Sequence, residues 1–130
     1  MQKTEAMTVG LYEGIFHHVY TVMDELSEGT DPASNARAAY AACITRLTGH
    51  DFMDFRTDTT TGVSTGGSDG CVNFNDPINA GLLECVQAND YASIYAEHCD
   101  KISLADFLVV VAEAAMSRQH STYDHWTLFP

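Results

Sequence analysis

Apolar side chains return every three or four residues over three long stretches of the chain, and this helical period limits the fold more than any other feature. The first stretch runs roughly from Thr4 to Leu26. Val9, Tyr12, Phe16, Val19, Tyr20, Met23 and Leu26 share one face, and Gly29 closes it. The second runs from Pro32 to about His50. Asp31 stands in the capping position with Pro32 at the first helical one, and the alanines beyond them favour helix and close packing. The third begins near Ser103, where Ser103 and Asp106 have the spacing of a capping box. Leu104, Phe107, Leu108, Val111, Ala115 and Met116 form its expected buried stripe. The pattern predicts an all-α fold.

A long segment rich in Gly, Thr, Ser and Asp, Phe52 to Asn75, separates the second helix from the C-terminal half of the chain. Asp51, Asp54, Asp58 and Asp69 bracket it, and loops of this length are usually functional or disordered. A shorter helix is expected from Asp76–Pro77, carrying Ile78, Leu82, Leu83 and Val86. The tail from Ser121 holds Tyr123, Trp126, Leu128 and Phe129. It is too apolar to stay free and is expected to dock on this domain or on a partner. With 130 residues, 45% of them hydrophobic and 18% charged, the chain suits a single folded domain over residues 1–130.

Acidic residues outnumber basic ones 18 to 6, for a formal net charge of -12. Such a surface repels phosphate backbones and anionic bilayers, so neither nucleic acid nor a membrane is an expected partner. The longest apolar run, Phe107 to Ala112, is too short to span a bilayer. Met1 to Gly10 lacks the basic start and apolar middle of a signal peptide, so the expectation is a cytoplasmic chain or a numbering that begins after processing. Cys43, Cys71, Cys85 and Cys99 allow two disulfides in three connectivities. They have no CxxC spacing, which argues against a structural zinc site. The even cysteine count and the acidity lean towards an oxidising, secreted setting.

The chemistry concentrates in three short motifs. Arg46 and His50 lie four residues apart and project from one helix face. A neutral imidazole takes and returns a proton, and a fixed guanidinium stabilises a developing oxyanion, which together suit a peroxide. The plainer reading is a surface arginine and a histidine placed favourably at a helix C-terminus. In Gly66-Gly67-Ser68-Asp69-Gly70-Cys71, with Asp51 upstream, two carboxylates, loop carbonyls and a glycine bend offer the hard oxygens calcium prefers. The plainer reading is a solvated loop. In Asn79-Ala80-Gly81-Leu82, the Asn79 carbonyl is suited to accept from the second ring nitrogen of His50 and set its tautomer, and the plainer reading is a helix residue pointing to water.

Arg46-Leu47-Thr48-Gly49-His50-Asp51, then Gly66 to Cys71, then Asn79 to Leu82, and last Ile102-Ser103-Leu104-Ala105-Asp106 stand in one order. In that order they resemble the distal half of the plant, fungal and bacterial haem peroxidase superfamily, over roughly Ala33 to Ala115. The resemblance implies a haem-peroxidase-like helical half-domain with a long Gly/Thr/Asp-rich loop between helices. It implies His50 as the distal acid–base catalyst, Arg46 as the distal arginine and Asn79 as the residue orienting His50. Arg46, Gly49 and His50 would face haem b. Asp51, Gly67, Asp69 and the Cys71 position would hold calcium. Cys99 falls near a disulfide cysteine of plant-type members, whose usual partner is absent here. Cys85 or another cysteine would then pair with it, or none would.

The departures from the family pattern are specific. Gly49 replaces an aromatic wall of the pocket, and Cys71 replaces a hydroxyl that gives calcium an oxygen. The proximal histidine that holds the iron in such proteins belongs to a second half. His17, His18, His98, His120 and His125 match no proximal motif and read as surface or packing residues. The expectation is therefore a second polypeptide carrying the proximal half. Hydrogen peroxide and a small reductant would be the substrates, and the rival is a haem-free, secreted, calcium-binding module with a structural, adhesive or ligand-binding role.

Overall fold

The computed structural model describes residues 7–31 and 33–121 and is mostly helical. Helices α1 (Val9–Glu25), α2 (Ala36–Met53) and α5 (Leu104–Ser121) are the long elements, with short α3 (Leu82–Gln87) and α4 (Tyr91–Ala96) between the last two. A 3-10 turn covers Pro77–Asn79. Strands β1 (Arg56–Thr57) and β2 (Ser64–Thr65) pair antiparallel, with Arg56 opposite Thr65 and Thr57 opposite Ser64. The expected long irregular segment thus contains a small hairpin. Among the described residues no helix is long and apolar enough to cross a membrane.

Helix α5 is the hub, since both α1 and α2 pack chiefly against it. From α1 come Ile15, Val19 and Met23, all fully buried, and from α2 come Tyr40, Ile44 and Leu47. Phe107, Val111, Ala114 and Ala115 meet them from α5. Removing a side chain such as Ile44 from water contributes about 1.5–3 kcal/mol. The α1 face is rotated from the expected one: Val9 is 73% exposed, while Ile15 takes a central place. Met116, expected in the stripe of α5, is 49% exposed and Leu104 only half-buried, because Val110 and Ala114 face the core instead.

Caps explain where the helices start. Thr8 accepts from the Leu11 amide at 3.2 Å and opens α1. Helix α2 begins at Ala36, later than the Asp31–Pro32 signal predicts; Pro32 itself lies outside the described residues. The Asp31 carboxylate is taken by the Ala33 and Ser34 amides and the Ser34 hydroxyl, closing a turn, and Asn35 caps α2 through the Ala38 amide at 2.8 Å. At α5 the Ser103 hydroxyl accepts from the Asp106 amide and donates to its carboxylate, so the expected cap is present. Arg37, which is 8% exposed, donates to the Met23 carbonyl at 2.8 Å and pairs with Glu28. It thereby gives a second donor to a carbonyl at the end of α1 that already accepts from the Leu26 amide at 3.2 Å. The tail with Tyr123, Trp126, Leu128 and Phe129, and the start of the first stretch at Thr4, lie outside the described residues.

One disulfide, Cys43–Cys85, joins α2 to α3. Cys71 and Cys99 are thiols. Cys99, the position where the family resemblance suggests a bridge, donates instead to the Ala96 carbonyl at 3.6 Å, because Cys85 is committed to Cys43.

Candidate functional site

The last turns of α2 and the 3-10 turn after Asp76 bring Arg46, His50 and Asn79 together. Asp76 caps the turn by accepting from the Ile78 amide at 3.1 Å, and Pro77 occupies its first position. The single helix expected here is split. Ala80 leaves the helical conformation, with ψ at 132°, and Gly81 adopts a left-handed φ of 83° before α3 begins. The split leaves the Ala80 carbonyl outside any helix, where the Arg46 guanidinium donates to it at 2.8 Å. Arg46 is otherwise exposed.

His50 Nδ1 lies 2.6 Å from Asn79 Oδ1. Asn79 is buried, and its Nδ2 donates to the Asn73 carbonyl at 2.8 Å. That second bond fixes which end of the amide faces His50: the oxygen, which only accepts. Nδ1 of His50 is therefore the protonated ring nitrogen, and neutral His50 keeps its lone pair on Nε2. A hollow of about 190 Å³ opens beside this pair, lined by His50, Met53, Asp54, Val72, Ile78 and Asn79 among others. Met53 and Ile78 are 66% and 68% exposed, so the polar pair is flanked by uncovered apolar surface. At Gly49, one residue before His50, an added Cβ would meet nothing within 4 Å, so a side chain there would enter open space.

Asp51 points the other way. It continues the stripe of Tyr40, Ile44 and Leu47 and is fully buried. Its Oδ1 accepts from the Gly70 amide at 2.9 Å, while Oδ2 has no hydrogen-bond partner. Burial pushes its carboxyl above the usual carboxylate range. The other acids of the loop are tied to backbone: Asp54 accepts from the Gly67 amide at 2.6 Å, Asp58 from Thr60 and Thr61, and Asp69 from Cys71 at 2.8 Å. The charge of Asp69 raises the pKa of the exposed Cys71 thiol, so that side chain stays protonated at neutral pH and is no ligand for a hard cation. Of the residues expected to hold calcium, Asp51 is the one with a buried carboxylate oxygen, Oδ2, that has no hydrogen-bond partner. Asp51, Asp69 and Cys71 do not gather as a three-donor group among the described residues.

A second hollow, about 270 Å³ and nearly all apolar, lies between α2, α4 and α5, lined by Leu47, Tyr91, Tyr95, Phe107 and Leu108 among others. Val72 lines both hollows, but neither Arg46 nor His50 reaches this one. The residues that do gather as donors are His18 from α1 and the adjacent Glu97 and His98, far along the chain from it. Nothing in local spacing could reveal them. Comparison with protein-family models, with curated proteins and with solved structures yields no match.

Proposed function

We propose that the chain supplies the distal side of a peroxidase-like haem pocket and works with a second polypeptide that carries the proximal half. The observation that carries this reading is the His50–Asn79 hydrogen bond of 2.6 Å, with Arg46 one helical turn away on the same face. Haem, when bound between the two chains, supplies the redox chemistry. His50 presents an unprotonated Nε2, the form that accepts a proton from hydrogen peroxide and returns it to the leaving oxygen. Asn79 holds the ring in that tautomer. Arg46 places a permanent positive charge beside the developing negative one. The exposed Met53 and Ile78 offer apolar cover to a planar apolar group or to the partner. A small reductant would complete the cycle.

Calcium belongs to the same proposal, with Asp51 as the principal ligand and Asp69 and the Gly67 carbonyl beside it. The Cys43–Cys85 bridge supports an oxidising or secreted setting. The rival reading, a haem-free binding module, draws on the bond that engages Arg46 with Ala80 and on the open space at Gly49.

Native mass spectrometry of the protein from its source tests the reading. The expected mass is this chain plus a second polypeptide plus one haem, and His50→Ala should then cut peroxide turnover by roughly 10²–10⁴-fold. Two chains without haem would favour the rival, and turnover unchanged in His50→Ala would remove the catalytic role. A calcium chelator should lower the melting temperature of wild type but not of Asp51→Asn.

A further inference from the structure

We infer that His18, Glu97 and His98 form a binding site for a zinc-class divalent metal ion, joining α1 to the segment between α4 and α5. The inference is independent of the peroxidase-like reading, since none of these residues lies in either hollow or in the His50 group.

Each of the three side chains offers one ligand atom, and all these atoms lie within 4.8 Å of one another. His18 Nδ1 and Glu97 Oε2 are 3.6 Å apart. Tetrahedral zinc with bonds of about 2.0–2.1 Å sets neighbouring ligand atoms about 3.4 Å apart. That pair is therefore already near ligand spacing, yet too long for a good hydrogen bond. The His98 nitrogen lies within 4.8 Å of both.

The second observation concerns His98 itself. Both of its ring nitrogens are shielded from solvent and neither has a hydrogen-bond partner. A neutral imidazole carries one N–H and one lone pair, and leaving both unanswered costs roughly 1–3 kcal/mol for each group. Most buried polar side-chain atoms have at least one hydrogen-bond partner, so two unanswered nitrogens on one ring are unusual. A metal ion takes the lone pair and removes the larger part of that penalty.

The donor set selects the ion. Two imidazoles and one carboxylate suit zinc and its neighbours, not calcium or magnesium, which seek oxygen. Three protein ligands leave a fourth position for water or a small ligand. Asp100 and Lys101 act on His98 with opposite signs, while the chain's net charge of -12 favours any cation. The cysteines play no part, so their lack of CxxC spacing does not bear on this site.

Calorimetric titration of the metal-free full chain with Zn²⁺ tests the site. One ion should bind per chain. His18→Ala and Glu97→Gln, both at accessible positions, should weaken binding by more than the roughly 10–100-fold typical of losing an outer-shell partner. Their circular dichroism should match wild type. His17→Ala, one residue along α1 and exposed, should bind as wild type does. Absence of Zn²⁺ binding to wild type would overturn the inference. So would unchanged affinity in both His18→Ala and Glu97→Gln, or a loss that tracks His17.

Discussion

The helical framework and the loop from Asp54 to Cys71 are held by different forces. In α1, α2 and α5 the order comes from apolar burial, with Ile15, Ile44 and Val111 wholly removed from water. In the loop almost every residue is exposed, and order comes from carboxylates that accept backbone amides: Asp54 from Gly67, Asp58 from Thr60 and Thr61, Asp69 from Cys71. The acidic excess that repels phosphate at long range therefore does local structural work. Asp51 belongs to both regions, since it sits on the buried stripe of α2 and grips the Gly70 amide of the loop.

The contrast breaks most strongly on the framework side. Converting Cys43 and Cys85 to Ala opens a covalent link with a sequence separation of 42. The chain-entropy relation puts the loss at about 4 kcal/mol, readable as a lower denaturant midpoint. The seam comes next. Gly70 has a φ of 77°, and a Cβ there would lie 2.8 Å from Leu104 Cγ. Gly70→Ala should cost about 1–2 kcal/mol from the left-handed backbone alone, with the contact adding to it. Gly62 has a similar φ of 72° but nothing within 4 Å, so Gly62→Ala should cost less. Equal losses at the two glycines would deny the seam any special tightness.

The smallest effect lies at the loop tip. The Thr61 and Thr60 amides hold the Asp58 carboxyl below the usual carboxylate range. The unfolded chain has the ordinary value, so the turn's stabilisation is complete above that value and is lost as pH falls through the lowered one. An NMR titration should show the Thr60 and Thr61 amide shifts moving only in that acid window. Helical circular dichroism should not change there. Amide shifts that stay flat through the window would mean that Asp58 does not hold the turn.

The sequence was most readable where one period ran long enough to be unambiguous. The three long helices, the Ser103–Asp106 cap and the Asp76–Pro77 start all come from local chemistry. Asp31–Pro32 misleads because it makes a strong signal for a turn as well as for a helix, and the weaker-looking Asn35 is the residue that caps. Helix α4 is too short to show a period, with Tyr91 and Ile94 its two buried residues. At the candidate site the approach of Asn79 to His50 was open to motif reasoning, because each lies in a recognisable short pattern. Asp51, expected as a carboxylate bracketing the loop, is instead buried, because it lies one turn beyond Leu47 on the inner face of α2. The Cys43–Cys85 choice and the His18–Glu97–His98 group were not readable, since both depend on how distant segments meet.

That α5 is the hub also bears on the order in which the molecule assembles. The Tyr20 hydroxyl meets Ser117 across 97 residues, and Asp24 meets Arg118 across 94. The apolar face of α1 therefore emerges well before α5 during synthesis and waits for it. Individual helices form quickly, but the contacts that bury Ile15, Val19 and Met23 must first close a loop almost as long as the domain. For a helical protein this topology implies slow completion of the core, and an interval in which α1 is exposed to chaperones or to other copies of the chain.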